Sequence, residues 1–332
     1  MNETAVVSFA TGSMWAGFIA FVLVMLALDL FVFGGRKAHR VHVKEAAVWV
    51  AVWVSLALAF AALLWWYLND TQGPEVARTK TLEFLAGYLI EQSLSVDNMF
   101  VFVMIFSYFA VPPELQRRVL LYGVLGAIVM RAGMILAGVW LVQQFAWILY
   151  VFGAFLVITG IKMLIFAESE PDLEKNPLLR WVRGHMRITP EFHGEKFFIR
   201  QNGILWATPM FLVLVLIEAS DVVFAVDSIP AIFAVTTDPF IVFTSNIFAI
   251  MGLRALYFLL ADMADRFHLL KYGLAIVLVF IGGKMLAMPW FHMPIQWSLS
   301  IVGSIILISV VASLALTKPK LKPQPVAAGE EA

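Results

Sequence analysis

The chain has 332 residues, of which 61% are hydrophobic and 14% charged, with a formal net charge of +0 and no cysteine. A soluble domain carries about 25% charged residues, so this much apolar surface has no place in a water-soluble fold, and the lipid bilayer is the partner that composition implies. The even charge balance argues against a nucleic-acid partner, and the lack of cysteine removes disulfides, thiolate metal sites and CxxC redox chemistry.

From the N-terminus, Met1 to Thr11 carries Glu3 and no Lys or Arg, unlike the positive n-region of a secretory signal peptide. The first apolar run is therefore expected to stay in the protein. A bilayer-crossing helix needs about 20 mostly apolar residues. Such runs lie near 13–33, 45–68, 83–108, 118–141, 145–167, 204–227, 240–261, 272–288 and 297–316. They predict an all-α polytopic membrane protein, one integral membrane domain over 1–332, with about nine transmembrane helices. The longest connection, 168–203, holds six acidic and six basic residues with Trp181, Phe192, Phe197 and Phe198, and reads as a partly ordered connector. The tail 317–332, with Pro319, Pro323 and Pro325, reads as disordered.

Positively charged loops are retained in the cytoplasm, and the bases divide between alternate connections. One side holds Arg36, Lys37, Arg40 and Lys44; Arg117 and Arg118; Lys175, Arg180, Arg183, Arg187, Lys196 and Arg200; Arg266 and Lys271; and Lys318, Lys320 and Lys322. The opposite side holds only Arg78 and Lys80. Nine spans with the N-terminus outside and the C-terminus cytoplasmic fit this split.

Three matched words suggest a duplication. Leu89-Ile90-Glu91-Gln92-Ser93 matches Leu216-Ile217-Glu218-Ala219-Ser220, Arg131 matches Arg254, and Gly160-Ile161-Lys162-Met163-Leu164 matches Gly282-Gly283-Lys284-Met285-Leu286. Their offsets are 127, 123 and 122 residues. Two consecutive three-helix units, 83–167 and 204–288, must cross the membrane in opposite senses because three is odd. That is an inverted repeat, a form recurrent in secondary transporters with a binding site near the midplane. Helices 1 and 2, over 13–68, and the ninth, over 297–316, are then peripheral.

Six acids fall inside the expected spans, Asp29, Glu91, Asp97, Glu218, Asp221 and Asp227, with four bases, Arg131, Lys162, Arg254 and Lys284. An ionised side chain at mid-bilayer costs about 2.5–3.5 kcal/mol even on lenient scales, so these residues are expected to face the protein interior. Glu91, Ser95 and Asn98 share one helix face, as do Glu218 and Asp221. Asp97 lies about 120° from Glu91 and Asp227 nearly opposite Glu218 on unbroken helices. Either the helices unwind there or Asp97 and Asp227 serve other partners. Pro230 suggests a helix end near Asp227, at the outer mouth. Carboxylate, amide and hydroxyl oxygens without sulfur suit a hard divalent cation, Mn²⁺, Mg²⁺ or Ca²⁺. The candidate metal set is Glu91, Asp97, Asn98, Glu218, Asp221 and Asp227. Arg131, Lys162, Arg254 and Lys284 are read as counter-ions, and Asp29 as a residue near the cytoplasmic end of its helix. The histidines lie near membrane edges and form no ligand set. Clustered carboxylates can take up protons when a cation leaves, which offers a route to metal/proton exchange.

The runs Glu91-Gln-Ser-Leu-Ser-Val-Asp97-Asn98 and Glu218-Ala-Ser-Asp221-Val-Val-Phe-Ala-Val-Asp227-Ser-Ile-Pro230, with Thr236-Thr-Asp-Pro-Phe240 and Thr244-Ser-Asn246, resemble the TerC family of bacterial membrane proteins, in particular its Alx branch. The resemblance implies a multi-pass protein of the bacterial cytoplasmic (inner) membrane, associated with manganese export and with older labels of tellurite resistance and redox modulation. It also implies that Glu91, Asp97, Glu218, Asp221 and Asp227 are the functional acids.

The expected function is export of a hard divalent cation, Mn²⁺ foremost, with no enzymatic activity and no required cofactor. Two rivals stand beside it. One is an anion transporter that uses the four embedded bases. The other is a membrane accessory protein for metal delivery or redox and tellurite stress, docking through 168–203. A homo-oligomer or assembly with other membrane proteins is compatible with the glycines of the fourth span.

Overall fold

The computed structural model describes residues 8–33, 42–165, 176–261, 269–291 and 293–316, the side chains of 29–33 excepted. Within these the chain forms α1 (Gly12–Phe33), α2 (Val43–Thr71), α3 (Pro74–Tyr108), α4 (Pro113–Gln144), α5 (Ile148–Ile165), α6 (Pro177–His185), β1 (Phe198–Gln201), β2 (Ile204–Ala207), α7 (Pro209–Phe233), α8 (Pro239–Ala261), α9 (Leu270–Leu286) and α10 (Ile295–Leu316). Five helices, α3, α4, α6, α7 and α8, open on proline. There the missing N–H is one the helix could not have used, and the fixed φ already suits it.

The protein is a polytopic helical membrane protein. Among the described residues α2, α3, α4, α5, α7, α8 and α10 are long and apolar enough to cross a bilayer. The other two expected spans coincide with α1, apolar over Gly12–Leu28, and with α9, of 17 residues. The side chain of Asp29, the acid-rich start of the 168–203 loop and the 317–332 tail lie outside the described residues.

Three boundaries differ from the sequence expectation. Helix α3 begins at Pro74 rather than near 83, because Gly73, at φ 92°, turns the chain directly into a proline-started helix. Residues 204–207 form a strand and α7 begins at Pro209, a departure from the wholly helical expectation. Asn202 (φ 52°) and Gly203 (φ 79°) supply the two left-handed residues of a tight hairpin turn, which pairs Arg200 with Leu205. Finally, α7 passes through Pro230 to Phe233 instead of ending near Asp227. Ser228 to Phe233 are all buried, and that packing outweighs proline's local bias against helix.

Helix α8 is the centre of the bundle. It is apolar all round, and 94% of its most apolar window is buried among neighbours that include α2, α3 and α4. Phe60, Phe84 and Phe248 pack there with ring centroids 5.0–5.8 Å apart. Helices α5 and α9 cross at backbone distance. A Cβ on Gly282 would sit 2.5 Å from the Gly153 carbonyl oxygen and 2.9 Å from the Val157 nitrogen. A Cβ on Gly160 would sit 2.7 Å from the Ala275 oxygen and 3.0 Å from the Val279 nitrogen.

At one end of the bundle Asp238 accepts three hydrogen bonds. It accepts from Ser8 Oγ at 3.1 Å, Phe9 N at 3.3 Å and Phe240 N at 2.9 Å, which ties the N-terminal segment to the start of α8. At the other end, α6 and the β1–β2 hairpin form a small layer. Asn176 caps α6 by accepting from Leu178 N and Leu179 N, while Leu179 and Val182 turn inward.

Candidate functional site

The polar interior lies where α3, α4, α7 and α8 converge. Arg131 of α4 is fully buried and donates to four acceptor atoms on three helices. Its Nε and Nη2 reach Asp221 Oδ2 and Oδ1 of α7 at 3.1 and 2.8 Å. Its Nη1 donates to Glu91 Oε1 of α3 and, at 3.3 Å, to Asn246 Oδ1 of α8. Asn246 Nδ2 in turn donates to Glu91 Oε2 at 3.2 Å. The amide thus accepts from the cation and donates to the anion, and its orientation is fixed by both partners at once. Glu91 and Asp221 are 0% and 2% exposed. A buried charge of either sign is tolerable only when paired and hydrogen-bonded, and this constellation meets that demand with two carboxylates around one guanidinium.

The other candidates lie around it unequally. Glu218 interacts electrostatically with Asp221 but stays outside the guanidinium fork, and its Oε2 is buried without a hydrogen-bond partner. Its carboxylate occupies the space where a Cβ on Gly126 of α4 would lie. Asn98 and Ser95 are buried on the Glu91 face of α3, and the Ser95 hydroxyl has no hydrogen-bond partner among the described residues.

Asp97 and Asp227 form a second centre. Helices α3 and α7 do not unwind at them, so both point away from the Arg131 cluster. Asp97 interacts with Asp227 and with Lys271. Asp227 accepts from Thr159 Oγ1 of α5 at 3.4 Å and lies in the field of Lys162. The six proposed metal ligands are therefore divided between two sites. Among the described residues, no group of three or more His, Asp or Glu side chains converges as a ready-made metal cage.

Of the remaining bases, Arg254 is buried in α8, and Lys284 lines a cleft of about 290 Å³ with Lys80, Glu83 and Thr236. Sequence reasoning did not single out Asn246 or Thr159 as site residues. An amide in a largely apolar span, eight residues before Arg254, was the available signal for Asn246. Thr159 carried none, since a hydroxyl in a helix usually bonds its own backbone.

The profile of the integral membrane protein TerC family matches residues 76–321, which includes every one of these side chains. The chain belongs to the TerC family. It is 59% identical over 301 residues to a Salmonella typhi protein named "Putative membrane-bound redox modulator Alx", covering 91% of this chain and 94% of that protein. It is 53% identical over 307 residues to an uncharacterised membrane protein of Myxococcus xanthus, covering 92% and 93% of the two chains. A Rickettsia felis membrane protein is 40% identical over 300 residues, 90% and 97% of the two chains. No solved structure is a significant match. Bacterial relatives, family and apolar helices agree on a multi-pass protein of the inner membrane.

Proposed function

We propose that this TerC protein exports a hard divalent cation, Mn²⁺ foremost, by alternating access between two inverted three-helix units. The observation that carries the reading is the buried cluster Glu91–Arg131–Asp221–Asn246. Its members come from both proposed units, α3 and α4 on one side and α7 and α8 on the other. A cation entering here meets two carboxylates, an amide oxygen and nearby hydroxyls, the oxygen donors that hard ions prefer. It also meets a competitor, because Arg131 already uses both carboxylates. Binding then requires the guanidinium to withdraw, and release lets it return, so ligand exchange is tied to movement between the units. Glu218, beside Asp221 and outside the fork, supplies a further oxygen that Arg131 does not occupy. Protons are the proposed counter-ion, taken up when the cation leaves by Glu218, the neighbouring carboxylate that Arg131 does not hold.

The proposed repeat draws support from packing. Advancing Gly153, Val157 and Gly160 by 122 residues gives Ala275, Val279 and Gly282. The contacts advance with them, since Gly160 approaches the backbone of Ala275 and Val279 while Gly282 approaches that of Gly153 and Val157. Helix pairs follow the same rule, with α3 on α8 matched by α7 on α4, and α5 on α7 matched by α9 on α3. Two inverted units related by a pseudo-two-fold axis produce this pattern. The distribution of Lys and Arg supports nine spans with the N-terminus outside and the C-terminus in the cytoplasm.

A second reading is a membrane accessory protein that delivers metal or modulates redox stress without transporting. The name carried by the Alx relatives favours it, as does the folded α6–hairpin layer, which a partner could use. Radioactive Mn²⁺ flux in proteoliposomes, with internal pH followed, separates the two. Saturable flux with opposing proton movement, lost in Glu91→Gln and Glu218→Gln, is expected. No flux from correctly oriented wild-type protein overturns the exporter and leaves the accessory role.

A further inference from the structure

The α6–hairpin layer carries features that neither the bundle nor the ion path uses. Within the described residues 176–207 the bases are Arg180, Arg183, Arg187, Lys196 and Arg200 and the acids Glu191 and Glu195, so this stretch is basic, while Glu168, Glu170, Asp172 and Glu174 precede it in the chain. Its outer surface is also apolar. Trp181 is 58% exposed and Leu205 60%, and Phe198 and Ile204 are exposed too. Exposed apolar side chains beside exposed bases are costly in water and ordinary at a bilayer surface.

The exposed face of α4 shows which end of the bundle this layer occupies. On α4, Tyr122, Val129, Leu136 and Trp140 are exposed in one stripe at helical spacing. Tyr122 and Trp140 are 18 residues apart, about 27 Å along the helix, close to the roughly 30 Å hydrocarbon core. They are the aromatic ends expected of a lipid-facing stripe. The layer docks at the Tyr122 end. Phe197 meets the Tyr122 ring edge-on at 5.1 Å, and Arg118 beside it pairs with Glu195. From the other side Phe198 packs on Phe211 in the first turn of α7, with ring centroids 4.5 Å apart. Cross-strand pairing places Leu205 beside Arg200 on that same face of the hairpin.

We infer that the α6–hairpin layer is an interfacial anchor that binds the anionic lipid headgroups of the cytoplasmic leaflet, Leu205 and Trp181 entering the interface while Arg180, Arg183 and Arg200 meet the phosphates. The leaflet assignment rests on the N-outside, C-cytoplasmic orientation proposed above; the lipid contact does not. Anionic lipid is the occupant because the layer's charge is positive and its apolar residues flank a lipid-facing stripe.

The chain has no cysteine, so one introduced thiol reports alone. Full-length Leu205→Cys, carrying an environment-sensitive dye, is reconstituted into vesicles of phosphatidylcholine with or without phosphatidylglycerol. Quenching by neutral acrylamide and by brominated lipid is then compared. Acrylamide access at least threefold lower with phosphatidylglycerol, together with bromolipid quenching, is expected. Arg180→Gln/Arg183→Gln/Arg200→Gln in the same background should abolish the difference. Equal acrylamide access in both vesicles without bromolipid quenching overturns the proposal. Bromolipid quenching that ignores phosphatidylglycerol overturns its anionic-lipid part. Trp181→Cys, the other residue placed in the interface, should show the same pattern and guards against a local defect at 205. An impermeant maleimide on intact cells tests orientation separately. Labelling at 205 from outside overturns the leaflet assignment, while the quenching result still decides the lipid contact.

Discussion

Arg131 grips Asp221 side-on, with Nε and Nη2 each meeting a different carboxylate oxygen at 3.1 and 2.8 Å. This two-point grip joins α4 to α7, and the remaining guanidinium nitrogen joins both to α3 and α8. Removing the guanidinium strands two buried carboxylates, and breaking a buried pair in this way costs about 3–5 kcal/mol. Arg131→Leu should therefore lower thermal stability in detergent markedly. Adding Glu91→Gln and Asp221→Asn should recover part of the loss, because the triple variant no longer buries unpaired charge. If the triple variant is as unstable as the sum of its parts, the cluster is not acting as a unit. Arg131→Lys tests the geometry, since an ammonium cannot reproduce the planar grip.

Asn246 has a narrower role. Its amide links Arg131 to the second oxygen of Glu91. Asn246→Leu keeps the branched shape, though it is bulkier, and leaves that oxygen without its donor, at a cost of about 1–3 kcal/mol. Asn246→Asp offers no donor when ionised and adds a third carboxylate around one cation, so it should be worse than leucine in thermal unfolding. Should Asn246→Asp match wild type, the hydrogen bond to Glu91 carries no weight.

Glu218 can be moved without being mutated. A methyl at position 126 would fall on its carboxylate, the far end of a flexible side chain that can swing aside. Gly126→Ala should thus change thermal stability by less than about 1 kcal/mol. On the exporter reading it should still reduce Mn²⁺ flux as Glu218→Gln does. Unaltered flux in Gly126→Ala, with Glu218→Gln inactive, would mean that Glu218 works from more than one position.

How much of this was legible in the sequence varied with the kind of constraint involved. Seven of the expected spans were, because about 20 apolar residues in a row have few other uses. The α3 acids divided as helical geometry required. On an unbroken helix Glu91 and Asp97 cannot face one point, and the structure keeps α3 continuous and puts Asp97 in the field of Lys271 and of Asp227 instead. The identity of the partners was not legible, because it depends on which helices touch. Nothing local in Arg131 says that it reaches α7 and α8 as well as α3. The hairpin was missed because Ile204 to Ala207 read as the apolar start of a span, although Asn202-Gly203 just before it is a strong hairpin-turn signal. The end of α7 was misplaced because Pro230 argues locally, while the burial of Ser228 to Phe233 is tertiary.

The α5–α9 crossing gives the proposed inverted repeat a mechanical test. Gly160 and Gly282 occupy equivalent places, and each faces a backbone carbonyl and nitrogen that cannot move as a side chain can. Alanine at either position should force the helices apart, at about 1–3 kcal/mol for an overpacked contact. Because the contacts are related by the same shift of 122 residues, Gly160→Ala and Gly282→Ala should cost nearly the same. Gly283, one residue on, faces open space, so Gly283→Ala should be tolerated or slightly stabilising through the higher helix propensity of alanine. The double variant Gly160→Ala/Gly282→Ala should cost less than the two singles together, because a separation forced at one site already relieves the other. Thermal unfolding of the four proteins checks this. Strongly unequal single costs would mean that the crossing is not symmetric in energy, and full additivity would mean that α5 and α9 bend locally rather than separate as rigid rods.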